Sequence, residues 1–120
     1  MIEWEGIEMK IINILGTEYT FDIIDEKDEC MKSGMLEGYT DHTLKKIIVH
    51  KQKKENSVDC GNQNKIQKTI ARHEIIHAFL FESGIDIGMQ FHSEEMVDWL
   101  AMQLPKINTV IKDLEEVDQQ

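Results

Sequence analysis

Between residues 62 and 82 the apolar positions repeat with a helical period, and two histidines share it. Ile66, Ile70, His73, His77 and Leu80 are separated by four, three, four and three residues, the spacing of one helix face. A strand cannot carry this pattern inward, because its successive side chains point to opposite faces. The segment therefore reads as a packed helix that begins near Asn62 and stops at Ser83-Gly84. Inside it lies His73-Glu74-Ile75-Ile76-His77. Two imidazoles on a buried stripe make an awkward core unless each finds a hydrogen-bond partner or an ion.

The remainder of the chain divides into strands first and helices afterwards. Lys10 to Leu15, a turn at Gly16-Thr17, and Tyr19 to Ile24 read as a β-hairpin. Glu26 to Leu36 fits either a short helix or a loop. Gly38 to Thr40 and Lys46 to His50 read as two more strands, joined by a turn at Asp41-His42. Ser93 is suited to cap a helix over Glu94 to Leu104, which Pro105 should end. Lys106 to Val117 then forms a last amphipathic helix carrying Ile107, Val110, Ile111 and Leu114. This order implies an α+β domain with the helices on one face of a small mixed sheet.

With 120 residues, 41% of them hydrophobic and 30% charged, the chain suits one compact domain, residues 1–120. The first eight residues read as an N-terminal extension, since Met9 would make a natural start. No apolar run reaches the length of about 18 residues that a membrane span needs, and the acidic N-terminus lacks the core of a signal peptide. A cytoplasmic protein without membrane contact is expected. Cys30 and Cys60 are then free thiols. The formal charge of −10 repels phosphate backbones and argues against nucleic-acid binding. The basic stretch from Lys45 to Lys54 reads as the solvated flank of a strand. Trp99 reads as a core residue and the seven methionines as gap-fillers.

The chemistry resides in the histidine pair. Residues four apart on a helix lie one above the other, so His73 and His77 can direct two imidazoles at one Zn2+ ion. Glu74 is turned about 100° away, close enough to act as a general base on a metal-activated water without ligating. A catalytic zinc needs a third protein ligand. A third histidine six residues after His77 would fall at position 83, which is Ser83, so the candidates are His92, Glu94, Glu95 and Asp98. Glu94 and Asp98 share a helix face. One could ligate while the other accepts the spare N–H of a ligand histidine.

Residues 38 to 104 resemble the gluzincin clan of metallopeptidases, in particular the small phage and mobile-element zincins related to the ImmA/IrrE family. Gly38-Tyr39 precedes an apolar strand with Ile47, Ile48 and Val49, and the HEIIH helix follows. Glu94-Glu95-Met96-Val97-Asp98-Trp99-Leu100-Ala101 is similar to that family's Glu-x-x-Ala-Asn-x-Phe-Ala, with Val-Asp in place of Ala-Asn. The resemblance implies Glu94 as third ligand, Asp98 as its hydrogen-bonding neighbour and Ala101 as a packing position; a one-residue rotation would select Glu95 instead. It also implies that Lys46 to His50 is an edge strand whose Ile47, Ile48 and Val49 pair with an extended peptide. His92 and Tyr39 are the nominees for stabilising an oxyanion or contacting substrate. The link from Ser83 to His92 must be compact, and there is no room for an added DNA-binding or sensing domain.

The expectation is a zinc metallopeptidase of gluzincin type, acting on a protein or peptide such as a phage or host regulatory protein. Two other readings stay open: a zinc-containing module that binds a protein without catalysis, and an acidic mimic of DNA.

Overall fold

The structure, a computed structural model, describes residues 9–52 and 63–118. The N-terminal extension with Trp4, the lysines 53 and 54, Cys60, the helix cap expected at Asn62 and the last two residues lie outside the described residues. The chain forms β1 (Lys10–Ile14), β2 (Thr17–Ile24), α1 (Glu29–Gly34), β3 (Gly38–Asp41), β4 (Lys46–His50), α2 (Gln63–Glu82) and α3 (Glu94–Asp118). It is an α+β domain, as the order of strands and helices implies. No described helix is long and apolar enough to cross a membrane.

Turn chemistry sets the local structure. The β1–β2 hairpin turns through Leu15 and Gly16, both at positive φ, and the Asn13 side chain accepts the Gly16 N–H at 2.8 Å. Asp41 Oδ1 accepts the N–H groups of Thr43 and Leu44, each at 3.0 Å, and so turns β3 back towards β4. Residues 26–36, ambiguous in sequence, contain the short helix α1. Asp28 caps it by accepting Met31 N–H at 2.9 Å, and Met35 ends it in the left-handed region.

The sheet has the order β1-β2-β4-β3, with β2 and β4 parallel and the outer pairs antiparallel. The expected edge position of Lys46 to His50 is therefore incorrect. β4 is bonded on both sides, and Ile47 and Val49 are fully buried. Ile47 and Val49 share the face covered by the core, while Ile48 points to the other face and is half-buried. The outer strands are β1 and β3, and the residues of β3, the one nearer the histidines, are all partly exposed.

Helix α2 lies across the strands. Ala71 and Ala78 let it approach closely, completing a core of Ile14, Tyr19, Phe21, Ile47 and Val49. Tyr19 donates its hydroxyl to Glu82 at 2.7 Å, and Lys45 bonds the same carboxylate at 2.8 Å, so the C-terminal end of α2 is tied to the sheet. A second cluster, Ile76, Leu80, Val97 and Ala101, joins α3 to α2. The stripe seen in sequence is buried at His77 and Leu80 and half-buried at Ile70 and His73, whereas Ile66 is exposed.

Two further expectations are corrected. Pro105 does not end a helix: α3 runs through it to Asp118 as one element. A proline removes the N–H that would bond the carbonyl four residues earlier, here that of Ala101. Arg72 Nε donates to the Ala101 carbonyl at 2.9 Å and supplies the missing partner. Trp99, expected in the core, is 55% exposed, because Val97 and Ala101 are the residues of α3 that face α2.

Candidate metal centre

His73 and His77 sit on the face of α2 opposite the start of α3. Ser93 sets that start by accepting the Met96 N–H at 3.1 Å, and burial of Val97 and Ala101 fixes the helix rotation. With this phase Glu94 points at both histidines, its two carboxylate oxygens 3.0 Å from His73 Nε2 and 3.1 Å from His77 Nε2. The two Nε2 atoms are 3.0 Å apart. Ligand atoms of all three residues lie within 4.8 Å of one another, so the group could hold a metal ion. Glu95 faces a shallow surface hollow with Ser93, Met96 and Trp99 and is not in this group.

The far sides of the rings are also engaged. His73 Nδ1 is 2.7 Å from Asp98 Oδ1. His77 Nδ1 is 2.7 Å from His92 Nε2, and His92 Nδ1 is 2.8 Å from the carbonyl oxygen of Ile85. These contacts assign the protons. A carbonyl only accepts, so His92 donates from Nδ1, and with that single proton its ring accepts at Nε2. His77 must then donate from Nδ1, as His73 does to Asp98. If each ring carries a single proton, on Nδ1, both Nε2 lone pairs turn to one point, where the Glu94 carboxylate adds two more acceptors. Such a cluster repels itself unless a proton shared with Glu94 or a metal ion sits in it. Ligand bonds of about 2.0–2.1 Å around a tetrahedral ion put neighbouring ligand atoms about 3.3 Å apart, close to the spacing present.

Glu74 occupies the adjacent position. It is 7% exposed, with Oε2 4.0 Å from His73 Nε2. Thr40 Oγ1 on β3 lies 2.7 Å from the Glu74 carbonyl and 3.0 Å from Oε1, so its one hydroxyl proton is shared between these two acceptors. Burial pushes the Glu74 carboxyl above its ordinary range, against the pull of His73 and Thr40, and the Glu94 charge adds to the rise. Burial likewise holds His77 below the ordinary imidazole value, although Glu94 opposes it, which favours the neutral ring. Gly38 permits this closeness: a Cβ there would stand 2.9 Å from Ile70 Cγ2 and 3.3 Å from Glu74 Cγ.

A cavity of about 290 Å³ opens over these groups, with Leu36, Tyr39, Phe81 and Ile87 as its apolar walls. A second hollow of about 220 Å³ lies on the other side, between Thr69, Ile70, Asp98 and Glu37; Gly38, His73 and Glu74 border both. The Tyr39 hydroxyl donates to Asp28 at 2.7 Å, and burial together with this bond raises its pKa, so its proton is committed away from the site. His92 is placed differently from its nomination as an oxyanion donor. It is 2% exposed, behind His77, with both nitrogens engaged. Ile47 and Val49 are in the core rather than at a peptide-binding edge. Thr40 went unnoticed in sequence, since only the pairing of β3 with β4 and the packing on α2 bring it to Glu74. Cys30 is an exposed free thiol on α1.

Compared with protein-family models, curated proteins and solved structures, the chain matches none.

Proposed function

We propose that this protein is a zinc metallopeptidase of gluzincin type, with His73, His77 and Glu94 as metal ligands and Glu74 as general base. One observation carries the reading: two imidazole Nε2 atoms and a carboxylate converge beside a buried, separately held glutamate. Two nitrogens and one carboxylate suit zinc, and a site with three protein ligands keeps a position for water. When bound, zinc lowers the pKa of water to about 7 and polarises a carbonyl.

The residues divide the remaining work. Asp98 and His92 hold the two rings by their Nδ1 protons, so neither can rotate its Nε2 away. Thr40 anchors Oε1 of Glu74 and leaves Oε2 on the metal side to take the proton of the attacking water. The same oxygen can then pass that proton to the leaving amine. The role first assigned to Ile47, Ile48 and Val49 passes to β3. This edge, unpaired on its outer side among the described residues, borders both hollows, and an extended peptide could pair along it with side chains on either side of Glu74. A protein or peptide substrate in the cytoplasm, such as a phage or host regulator, fits this arrangement.

Metal content of protein purified without added metal is the first test. The expected result is one zinc per chain, lost in Glu94→Ala and kept in Glu95→Ala. Absence of zinc in the wild type, with no uptake on titration, would end the reading. Glu74→Gln should keep the metal and lose hydrolysis by about 10²–10⁴-fold. Unchanged biological activity in that variant would instead favour a zinc-containing binding module.

A further inference from the structure

The second half of α3 takes no part in the site. From position 105 to position 116 every residue is exposed, on all sides of the helix, so this stretch stands clear of the body. A free helix of about three turns is marginal in water. Its surface is nonetheless apolar along one side: Ile107, Val110, Ile111 and Leu114 are 39%, 67%, 45% and 64% exposed. Leu104, partly buried against the α2–α3 core, joins them to the packed first half of the helix. Leu104, Ile107, Ile111 and Leu114 are spaced three, four and three, the seam of a coiled-coil pair.

We propose that this seam is a homodimer interface in which two copies of α3 pair antiparallel about Thr109. The spacing is symmetric about that residue. Under a twofold axis, Leu104 of one copy meets Leu114 of the other and Ile107 meets Ile111, which is the self-complementarity an isologous contact requires. Charge selects the orientation. The C-terminal end of the stretch carries Asp113, Glu115 and Glu116 against Lys112, whereas positions 103 to 108 carry only Lys106. Parallel pairing would bring three carboxylates from each copy together. Antiparallel pairing sets the two acidic ends ten residues apart, about 15 Å along the helix, beyond the screening length of about 8 Å. The same axis sets Lys106 opposite Lys112 of the other copy, so the orientation rests on the separation of the two acidic ends and not on acid–base pairs. Asn108 and Val110, which flank the seam, are uncharged.

The contact is small. Three turns against three turns bury on the order of 1,000 Å², the lower bound for a specific interface, so a dissociation constant on the order of 10 µM is expected. Each copy has a formal charge of −10, so added salt should tighten the dimer.

Sedimentation equilibrium of the full chain from about 1 to about 300 µM tests the proposal. The wild type should pass from monomer to dimer over that range. Ile107→Glu and Ile111→Lys should each weaken association by about tenfold or more while keeping wild-type circular dichroism, since both positions are exposed. Mixed in equal amounts, the two variants should recover the dimer, because the introduced acid of one faces the introduced base of the other and the second pair remains Ile–Ile. In a parallel pair each new charge would face isoleucine, and a mixture that stays monomeric overturns the antiparallel register. A wild type monomeric throughout overturns the proposal, and a lowered melting temperature of Ile111→Lys would then assign the seam to another segment of the same chain. Variants as dimeric as the wild type also overturn it.

Discussion

His92 illustrates how one side chain can control a site it does not enter. Its ring lies between the Ile85 carbonyl and His77 Nδ1, and the direction of those two bonds decides which nitrogen of His77 is bare. Replacement by Phe would keep the bulk and leave the buried Nδ1–H of His77 without an acceptor. Metal affinity, measured by competition with a chromophoric chelator, should fall by about 10–100-fold. Asp98→Asn retains an acceptor for His73 and should lose less than Asp98→Ala. Wild-type affinity in His92→Phe would reduce His92 to a packing residue.

Helix α3 depends on a partner distant in the chain. Arg72 occupies the carbonyl that Pro105 leaves unbonded, and it also bonds Thr69 at 3.1 Å. Arg72→Ala should cost about 1–2 kcal/mol in denaturant unfolding, the penalty for a stranded backbone acceptor. Pro105→Ala restores the backbone donor, so it should recover most of that loss in the Arg72→Ala background and gain much less in the wild type. Additive effects would mean that the two residues are not coupled through Ala101. The rule that proline ends a helix failed here because it concerns the helix alone, whereas the compensating donor sits on α2. A comparable limit applies to β4: its apolar run marks a strand, but strand order is decided by which strands pair.

At the level of the whole molecule, acid should unfold the protein through carboxylates held ionised in the fold. Burial acts to raise Glu37, but hydrogen bonds from Lys27, Gln52 and His50 outweigh it and leave the pKa at about 2. Bonds from Lys45, Tyr19 and Thr17 likewise lower Glu82 to about 2, from an ordinary value of 4.5. A carboxyl with a depressed folded pKa stabilises the fold above its unfolded value and loses that contribution as pH falls towards the folded one. The melting temperature should therefore drop as pH goes from about 4.5 to about 2. The double variant Glu37→Gln, Glu82→Gln should show a flatter profile in calorimetry over that window. An unchanged slope would assign the acid response to other groups, such as Asp28 and Asp41, whose hydrogen bonds also lower them.

The helical spacing of His73, Glu74 and His77, the hairpin, and the α+β order of elements were readable from local pattern, because each depends on residues within a few turns of one another. Glu94 was readable up to a rotation of one residue. Val97 and Ala101 hold the signal that separates it from Glu95, since a buried pair four apart sets the helix phase and leaves Trp99 outside. The hydrogen-bond chain through His92, the Thr40 bond to Glu74, the interior place of β4 and the continuation of α3 past Pro105 were decided only in the tertiary structure. Each joins groups on different elements, and spacing within one helix or strand carries no information about which neighbour will supply the donor.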